Sequence, residues 1–214
     1  MFVTFEGIEG CGKTTQIKRF ADTLRRQGIP LITTFEPGGT RIGNEIRRIL
    51  LDVRNKDLTP LAELILYAAD RAQHIEEVIK PALDRGEWVI CDRFVDATLA
   101  YQGAARSQDV RLIQDLNKRS TLGICPDMTF LLDCPVEIGL ERAMKRNEAL
   151  SDEDQGRFER ETLDFHNKVR KGYLDLAGEH KERFVIIDAS LSEDKMEEEI
   201  FKHIEPHLRR GSPP

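Results

Sequence analysis

Residues 7–14, with the sequence GIEGCGKT, have the types and the spacing needed to bind a phosphate chain. They match G-x-x-x-x-G-K-[ST], the pattern of a phosphate-binding loop. The apolar run at residues 2–5 precedes them, and apolar residues at helical spacing follow from Ile17, which predicts strand, loop and helix. Lys13 would reach the β- and γ-phosphates of a nucleoside triphosphate, and Thr14 would offer its hydroxyl to Mg²⁺. The alternative is a chance glycine-rich turn.

A second polar pair, Asp92 and Arg93, follows the apolar run at residues 88–91. A carboxylate at the end of a buried strand is placed to hold Mg²⁺ opposite Thr14, or else to cap a turn. The guanidinium of Arg93 can bind an anion through two hydrogen bonds, which suits the phosphate of an acceptor molecule. The alternative for Arg93 is an ordinary salt bridge.

Two sequence signatures of a GTPase-type switch are missing. The nearest match to N-K-x-D is residues 117–120, NKRS, which lacks the aspartate and falls in a predicted helix. Asp92 is followed by RFV rather than by the x-x-G of a switch. The residues therefore favour a kinase of a small phosphorylated acceptor, with a nucleotide-binding switch as the weaker alternative.

The elements that must position these residues alternate between strand and helix along the chain. Strands are predicted at residues 2–5, 31–35, 88–91, 128–132 and 184–187. Helices are predicted after the phosphate loop and at residues 43–51, 60–78 (closed by Pro81 and Gly86), 110–119, 136–146, 158–173 and 196–204. This alternation predicts an α/β fold, a five-stranded parallel sheet with helices on both faces, in one domain over residues 1–214 with a short lid at about 142–157. Ligands then bind at the carboxyl edge of the sheet, where the loops after the first three strands converge.

Composition excludes several classes of protein. The 214 residues carry 32 Lys and Arg against 38 Asp and Glu, a net charge of −6, which argues against a protein that coats nucleic acid. Cys11, Cys91, Cys125 and Cys134 lie far apart, which favours reduced thiols in a cytoplasmic protein over a disulfide framework or a zinc site. No apolar run approaches the roughly 18 residues of a membrane span. The first predicted strand begins almost at Met1, which leaves no room for a signal peptide.

Five motifs together resemble the thymidylate kinase family. They are residues 7–15, 36–40 (EPGGT), 67–74 (YAADRAQH), 92–94 (DRF) and 99–103 (LAYQG), in the order typical of that family. They cover the first half closely, and the second half matches in layout. The resemblance implies a P-loop kinase fold and the reaction of ATP and dTMP to ADP and dTDP with Mg²⁺, in dTTP biosynthesis. It also implies a homodimer. The alternatives are a kinase of another nucleoside monophosphate and a non-catalytic nucleotide-binding switch.

The resemblance also implies which residues bind the acceptor dTMP. They are Glu9, Pro37, Tyr67, Arg71, Arg93, Thr98, Tyr101 and Gln102. Tyr67 would lie against the thymine ring, Arg71 would donate to a thymine carbonyl, and Gln102 would contact the base edge. Tyr101 would pack under the sugar, and Glu9 would contact the 3′-hydroxyl. Tyr67 as an ordinary core residue and Glu9 as a helix cap are the alternatives.

The ATP side and the catalytic residues follow from the same resemblance. The residues expected to hold ATP are Gly7, Ile8, Glu9, Gly10, Cys11, Gly12, Lys13, Thr14, Thr15 and Arg142. Some family members carry an arginine inside the phosphate loop, where this chain has Gly10 and Cys11. The chain therefore resembles the bacterial-type subgroup, whose lid supplies the arginine. The candidates are Arg142, Arg146 and Arg157, and the alternative for the first two is a solvated surface charge.

The implied chemistry needs no dedicated general base. The acceptor is a phosphate oxygen that is largely ionised near neutral pH, since its second pKa is about 6. Catalysis then consists of in-line positioning and charge neutralisation. The expected catalytic residues are Lys13, Arg93, Arg146 and Arg157, with Thr14 and Asp92 at the metal.

Overall fold

The computed structural model describes residues 1–150 and 156–208, and for residues 146–150 it describes the backbone only. Five strands form one parallel sheet: β1 (Phe2–Glu6), β2 (Leu31–Phe35), β3 (Trp88–Asp92), β4 (Met128–Asp133) and β5 (Phe184–Asp188). Their order is β2-β3-β1-β4-β5. The five predicted strands and their parallel arrangement are confirmed. The number of domains and the bounds of the lid remain predictions.

Nine α-helices and two π-helical segments surround the sheet in these ranges. The helices are α1 (Lys13–Arg26), α2 (Arg41–Leu51), α3 (Pro60–His74), α4 (Lys80–Asp84), α5 (Val95–Thr98), α6 (Val110–Ser120), α7 (Val136–Leu150), α8 (Leu163–Glu179) and α9 (Glu193–Leu208). The π-helical segments are Ile75–Ile79 and Leu99–Ala105.

Alternate residues of the central strand β1 pack on opposite faces of the sheet, because successive side chains of a strand point to opposite sides. On one face Phe5 contacts Phe20 of α1, with ring centroids 5.6 Å apart. On the other face Phe2 contacts Phe94 at 5.0 Å, and Glu6 accepts a hydrogen bond from Tyr173 of α8. Helices therefore cover both faces, as predicted.

Helices α7, α8 and α9 extend four to six residues past their predicted ends. Three other regions also differ from the predictions. The helix predicted at residues 60–78 continues through Pro81, because the π-helical segment Ile75–Ile79 widens the turn ahead of that proline. It ends at Asp84, and Gly86 with a φ of 77° closes the segment as predicted. The helix predicted from residue 158 begins instead at Leu163, since the Thr162 hydroxyl accepts a hydrogen bond from Phe165 N and caps the helix there. Residues 95–105, in which only the motif at residues 99–103 was predicted, are helical.

The parallel register brings the strand ends to one edge. Phe5 and Phe35 both pair with Asp92, so β1, β2 and β3 end at the same level. The loops that follow these strands meet there, which places the phosphate loop beside the Asp92–Arg93 turn.

Candidate active site

A cavity of about 610 Å³ opens at this edge of the sheet. Twelve of the predicted site residues line it: Glu9, Gly10, Lys13, Thr14, Pro37, Tyr67, Arg71, Asp92, Arg93, Thr98, Tyr101 and Gln102. The structure therefore brings together residues that lie up to 93 positions apart in the sequence, from Glu9 to Gln102.

Close backbone packing shapes the phosphate loop. Gly7, Gly10 and Gly12 have φ angles of 137°, 69° and 96°, which side chains other than glycine rarely adopt. A Cβ atom on Gly10 would lie only 1.9 Å from the carbonyl oxygen of Gly139 in α7. Gly12 is also the N-cap of α1, so the loop delivers its amides to a helix N-terminus.

Two cations hold the loop from the cavity side. Lys13 Nζ donates to Gly7 O at 3.0 Å and to Ile8 O at 2.9 Å. Arg93 Nη1 donates to the same Gly7 oxygen at 2.9 Å. Both positive charges thus meet where the loop would receive phosphate, and their partners there are neutral carbonyl groups.

Arg93 is held in an unusual backbone conformation. Its φ of 67° is strained for a residue with a side chain. Main-chain bonds on both sides fix it: Arg93 N donates to Phe5 O at 3.0 Å, and Phe94 N donates to Glu6 Oε1 at 2.7 Å. The turn directs the guanidinium of Arg93 into the cavity. The central carbon of this group, Cζ, lies 5.0 Å from the centre of the Tyr101 ring.

Glu6 itself is fully buried beneath this turn. Burial, together with the negative charge of Asp96, raises the pKa of Glu6 to about 8. Its other oxygen accepts a hydrogen bond from the Tyr173 hydroxyl at 2.7 Å. Glu6 and Tyr173 were not predicted to support Arg93, because they lie 167 positions apart in the sequence.

Glu9 faces Arg93 across the cavity. Its Oε1 accepts from Arg93 Nη2 at 3.0 Å and from the Tyr101 hydroxyl at 2.6 Å. Burial alone would raise the pKa of Glu9, but Arg93, His166 and Lys13 outweigh burial and hold that pKa well below its usual range. The carboxylate is therefore ionised and in contact with the ring predicted to lie under the sugar.

His166 was not predicted to belong to the site. It is fully buried on α8, and its Nδ1 lies 3.4 Å from Glu9 Oε2. The sequence did contain one sign of this role. His166 follows Phe165 on the apolar stripe of α8, and a buried polar residue on an apolar face needs a partner.

The metal residues of the prediction lie on the cavity wall. Asp92 ends β3, and its buried Oδ1 has no hydrogen-bond partner among the described residues. Thr14, at the start of α1, is exposed to the same cavity. An unpaired carboxylate oxygen and a hydroxyl are hard oxygen donors of the kind that Mg²⁺ prefers, so these residues fit the expected ion.

The opposite end of the cavity is built around Arg71. This guanidinium is only 1% exposed. Its Nε donates to Glu36 Oε2 at 2.8 Å, and Nη1 donates to Asn117 Oδ1 at 2.8 Å. Nη2 donates to Phe94 O and to Thr98 Oγ1, both at 3.1 Å. Glu36 lies within the motif at residues 36–40, but its support of Arg71 was not predicted.

Tyr67 and Gln102 complete this end. Tyr67 is half-buried on α3, four positions before Arg71. Gln102 is 1% exposed and donates from Nε2 to Glu63 Oε1 at 2.8 Å. Glu63 was not predicted, although Glu63, Tyr67, Asp70 and His74 recur at helical spacing and indicate one polar face of α3.

The two candidate lid arginines with described side chains, Arg157 and Arg142, have hydrogen-bond partners outside the phosphate loop. Arg157 Nη2 donates to Glu63 Oε2 at 2.5 Å, and Nε donates to Leu50 O at 2.6 Å, which places this side chain near the Tyr67 end. Arg142 is exposed and donates to Ala189 O at 3.3 Å. The Arg146 side chain and residues 151–155 lie outside the described residues. The role of each arginine therefore remains a prediction.

The other phosphate-loop residues predicted to hold ATP do not line the cavity with their side chains. Within the described ranges, the residues that do not line the cavity are Gly7, Ile8, Cys11, Gly12 and Thr15. Ile8 and Cys11 are buried in the main apolar cluster, so only their main-chain groups could face a phosphate.

Comparison with known proteins identifies the family. The family model described as thymidylate kinase matches residues 5–200. Thymidylate kinase of Citrifermentans bemidjiense is 56% identical over 189 residues, covering 88% of this chain and 84% of that protein. Thymidylate kinase of Geotalea uraniireducens is 51% identical over 210 residues, covering 98% and 99%. The crystal structure of thymidylate kinase from Ehrlichia chaffeensis superposes with a TM-score of 0.77 at 33% identity, covering 95% of this chain and 98% of that one. The chain belongs to the thymidylate kinase family.

Proposed function

We propose that this chain transfers the γ-phosphoryl group of ATP to dTMP, giving ADP and dTDP for dTTP synthesis. The single observation that carries the proposal is the position of Arg93. Its guanidinium lies against the phosphate loop at Gly7 and faces a cavity that continues to Tyr67 and Arg71. One arginine thus stands between a site for a triphosphate and a pocket for a second nucleotide, which is the arrangement that phosphoryl transfer between two anions needs.

Charge neutralisation is the main task of the chain's own residues in this reaction. Lys13 and Arg93 donate to the neutral Gly7 carbonyl group, and an anionic phosphate oxygen is a stronger acceptor for both. Glu9, held by Arg93 and the Tyr101 hydroxyl, is placed to accept from a sugar hydroxyl. No side chain has to remove a proton from the acceptor, because the attacking oxygen belongs to an ionised phosphate.

Thr14 and Asp92 would hold Mg²⁺. The unpaired Asp92 oxygen supports this assignment. Among the described residues, no group of three or more His, Cys, Asp or Glu is arranged to hold a metal ion. Substrate phosphates and water would therefore complete the coordination of an ion held by Thr14 and Asp92. When bound, the ion supplies positive charge to the phosphate oxygens.

Assembly and location are further parts of the proposal. Large apolar side chains of α2, α3 and α6 are exposed, and they support a homodimer; they are Ile42, Ile49, Leu61, Ile65, Val110 and Leu112. All four cysteines are free, which supports a cytoplasmic enzyme. None of the helices in the described ranges combines the length and apolar character that crossing a bilayer requires. Sedimentation velocity and cell fractionation test the first two proposals.

An assay of ADP release with dTMP, dUMP, CMP and AMP as acceptors tests the proposed reaction. We expect turnover to be fastest with dTMP and to require Mg²⁺. Preference for AMP or CMP would contradict the thymine assignment. Absence of turnover with every acceptor would favour a nucleotide-binding switch instead.

A further inference from the structure

The end of the cavity lined by Tyr67, Arg71 and Gln102, here called the base end, contains a buried carboxylate to which the proposed reaction gives no role. Glu63 lies on α3 and is only 1% exposed. A buried carboxylate is costly unless its oxygens are paired, so each contact it makes is informative. The contacts of Glu63 join residues from three separate parts of the chain.

The two oxygens of Glu63 have different partners. Oε1 accepts from Gln102 Nε2 at 2.8 Å and lies 3.5 Å from Arg106 Nε. Oε2 accepts from Arg157 Nη2 at 2.5 Å. The negative charge is therefore balanced by two guanidinium groups, while one oxygen is used to hold the Gln102 amide.

This contact fixes which way the Gln102 amide points. A carboxylate accepts hydrogen bonds and donates none, so only the NH₂ group of Gln102 can face Glu63. The opposite orientation would place two acceptor oxygens against each other. The assignment follows from the chemistry of the carboxylate, and it turns Oε1 of Gln102 away from Glu63 as a hydrogen-bond acceptor.

Arg71, on the same wall, has one donor left over. A guanidinium has five N–H groups. Four of those of Arg71 donate to Glu36, Asn117, Phe94 and Thr98. Among the described residues, the remaining N–H on Nη1 has no acceptor, and Arg71 and Gln102 both line the cavity. This end therefore combines one unused donor with one acceptor whose direction is set by Glu63.

We propose that Glu63 determines base specificity as a positioning residue, by holding Gln102 so that an acceptor is presented beside the Arg71 donor. A pyrimidine with a carbonyl at position 4 and an N–H at position 3 complements this pair, and thymine and uracil have both. Cytosine has an amino donor at position 4 and an acceptor at N3, so it meets both groups with the wrong polarity. The inference rests on the proposed function, in which the base of the acceptor nucleotide occupies this end.

The test is Glu63→Gln, which keeps the shape of the side chain but provides an amide that can donate or accept. The Gln102 amide is then free to rotate. We expect the ratio of kcat/KM for dTMP to kcat/KM for dCMP to fall by roughly 10-fold or more, since a site that hydrogen-bonds its substrate rejects the mismatched base strongly. A fall of both values by the same factor would show that Glu63 only supports the structure, and would overturn the proposal.

Glu161→Gln is the matched control. Glu161 accepts from Arg106 Nη2 at 2.6 Å, so it belongs to the same charged cluster. Within the part of the chain that the structure describes, it has no hydrogen bond with Gln102. We expect its dTMP to dCMP ratio to equal that of the unmodified protein. A ratio lowered as far as in Glu63→Gln would mean that charge alone sets specificity, contrary to the proposal.

Gln102→Met keeps the test decisive if Glu63→Gln does not fold. Methionine fills a similar volume without an acceptor, so discrimination should fall, and Glu63→Gln should add no further change to the ratio in the Gln102→Met background. Full discrimination in Gln102→Met, or an undiminished Glu63→Gln effect in the double variant, would refute the proposal. No turnover of dTMP by the unmodified protein would instead refute the proposed function, so the two failures are distinguishable.

Discussion

The two ends of the cavity hold their arginines in different ways. At the phosphate end, Arg93 and Lys13 share the neutral carbonyl oxygen of Gly7. At the base end, Arg71 donates to Glu36 and to three neutral acceptors fixed by surrounding helices. Arg93 also contacts Glu9, but the Gly7 oxygen that it shares with Lys13 is a partner that a substrate oxygen can replace. The partners of Arg71 are all buried within the protein and stay in place.

This difference matches what each end has to recognise. Phosphate groups carry full charge, and charge-assisted hydrogen bonds are about twice as strong as neutral ones, so an incoming anion can displace a carbonyl group. A base is neutral and is identified by the direction of a few hydrogen bonds, so its donors and acceptors must be oriented before it arrives. The phosphate end should therefore control the rate of transfer, and the base end should control affinity and selectivity.

The largest effect is expected at the phosphate end. Arg93→Ala removes the group placed between the two anions, and we expect kcat to fall by about 10³-fold or more, the scale of an arginine that stabilises phosphoryl transfer. ATP affinity should change little, because the loop amides and Lys13 remain. Single-turnover kinetics and ATP titration measure the two quantities.

Arg93→Lys is the control for charge. It keeps a cation but loses the planar fork that contacts Gly7 and Glu9 together, so its rate should lie between those of the unmodified protein and Arg93→Ala. A collapse of ATP affinity with unchanged binding of the acceptor would show that Arg93 serves the triphosphate instead.

A smaller effect is expected at the base end. Tyr67→Ala removes the ring expected to contact thymine, and base–aromatic stacking is worth about 1–3 kcal/mol. We therefore expect KM for dTMP to rise roughly 5- to 150-fold with kcat nearly unchanged, as measured by steady-state kinetics. Tyr67→Phe keeps the ring and should behave like the unmodified protein. A loss in Tyr67→Phe as large as in Tyr67→Ala would assign the binding energy to the hydroxyl.

Local sequence pattern accounts for most of the fold. The strands β2, β3 and β4 are short runs rich in apolar and β-branched residues, and their predicted limits agree with the structure to within one residue. The π-helical segment Leu99–Ala105 was not predicted, because its apolar residues do not recur at the 3.6-residue period of an α-helix. The expectation that Pro81 helps to close its helix was wrong for a related reason, since a widened turn changes the hydrogen-bond register without changing composition.

The site residues likewise fall into two groups, those that a local sequence pattern predicts and those that it does not. Residues 7–14 and the Asp92–Arg93 pair are recognisable because each motif is contiguous and its spacing is set by a single loop. Glu63 and His166 are not, because each acts through a partner far away in sequence: Gln102 is 39 positions from Glu63, and Glu9 is 157 positions from His166. One sequence can indicate that a buried polar residue needs a partner, but the partner is chosen by the packing of helices.

The smallest effect, after those of Arg93 and Tyr67, is expected at Asp70, which supports the loop next to Pro37 at the base end. Its Oδ1 accepts from Gly38 N at 2.9 Å. Burial, together with the charge of Glu36, raises the pKa of Asp70 to about 6. Because the folded state binds this proton more tightly than the unfolded state, the group favours folding at low pH, and that contribution is lost as pH rises from about 4 to 6.

Asp70→Asn keeps the acceptor for Gly38 N and removes the titration. We expect the free energy of unfolding of the variant to vary less with pH between 4 and 6, by about 1–2 kcal/mol after allowance for partial screening. Urea unfolding at several pH values measures this, with activity towards dTMP as the check that the base end is intact. Parallel stability curves for the two proteins would show that Asp70 titrates at its usual pKa, and that the base end is held without a strained carboxylate.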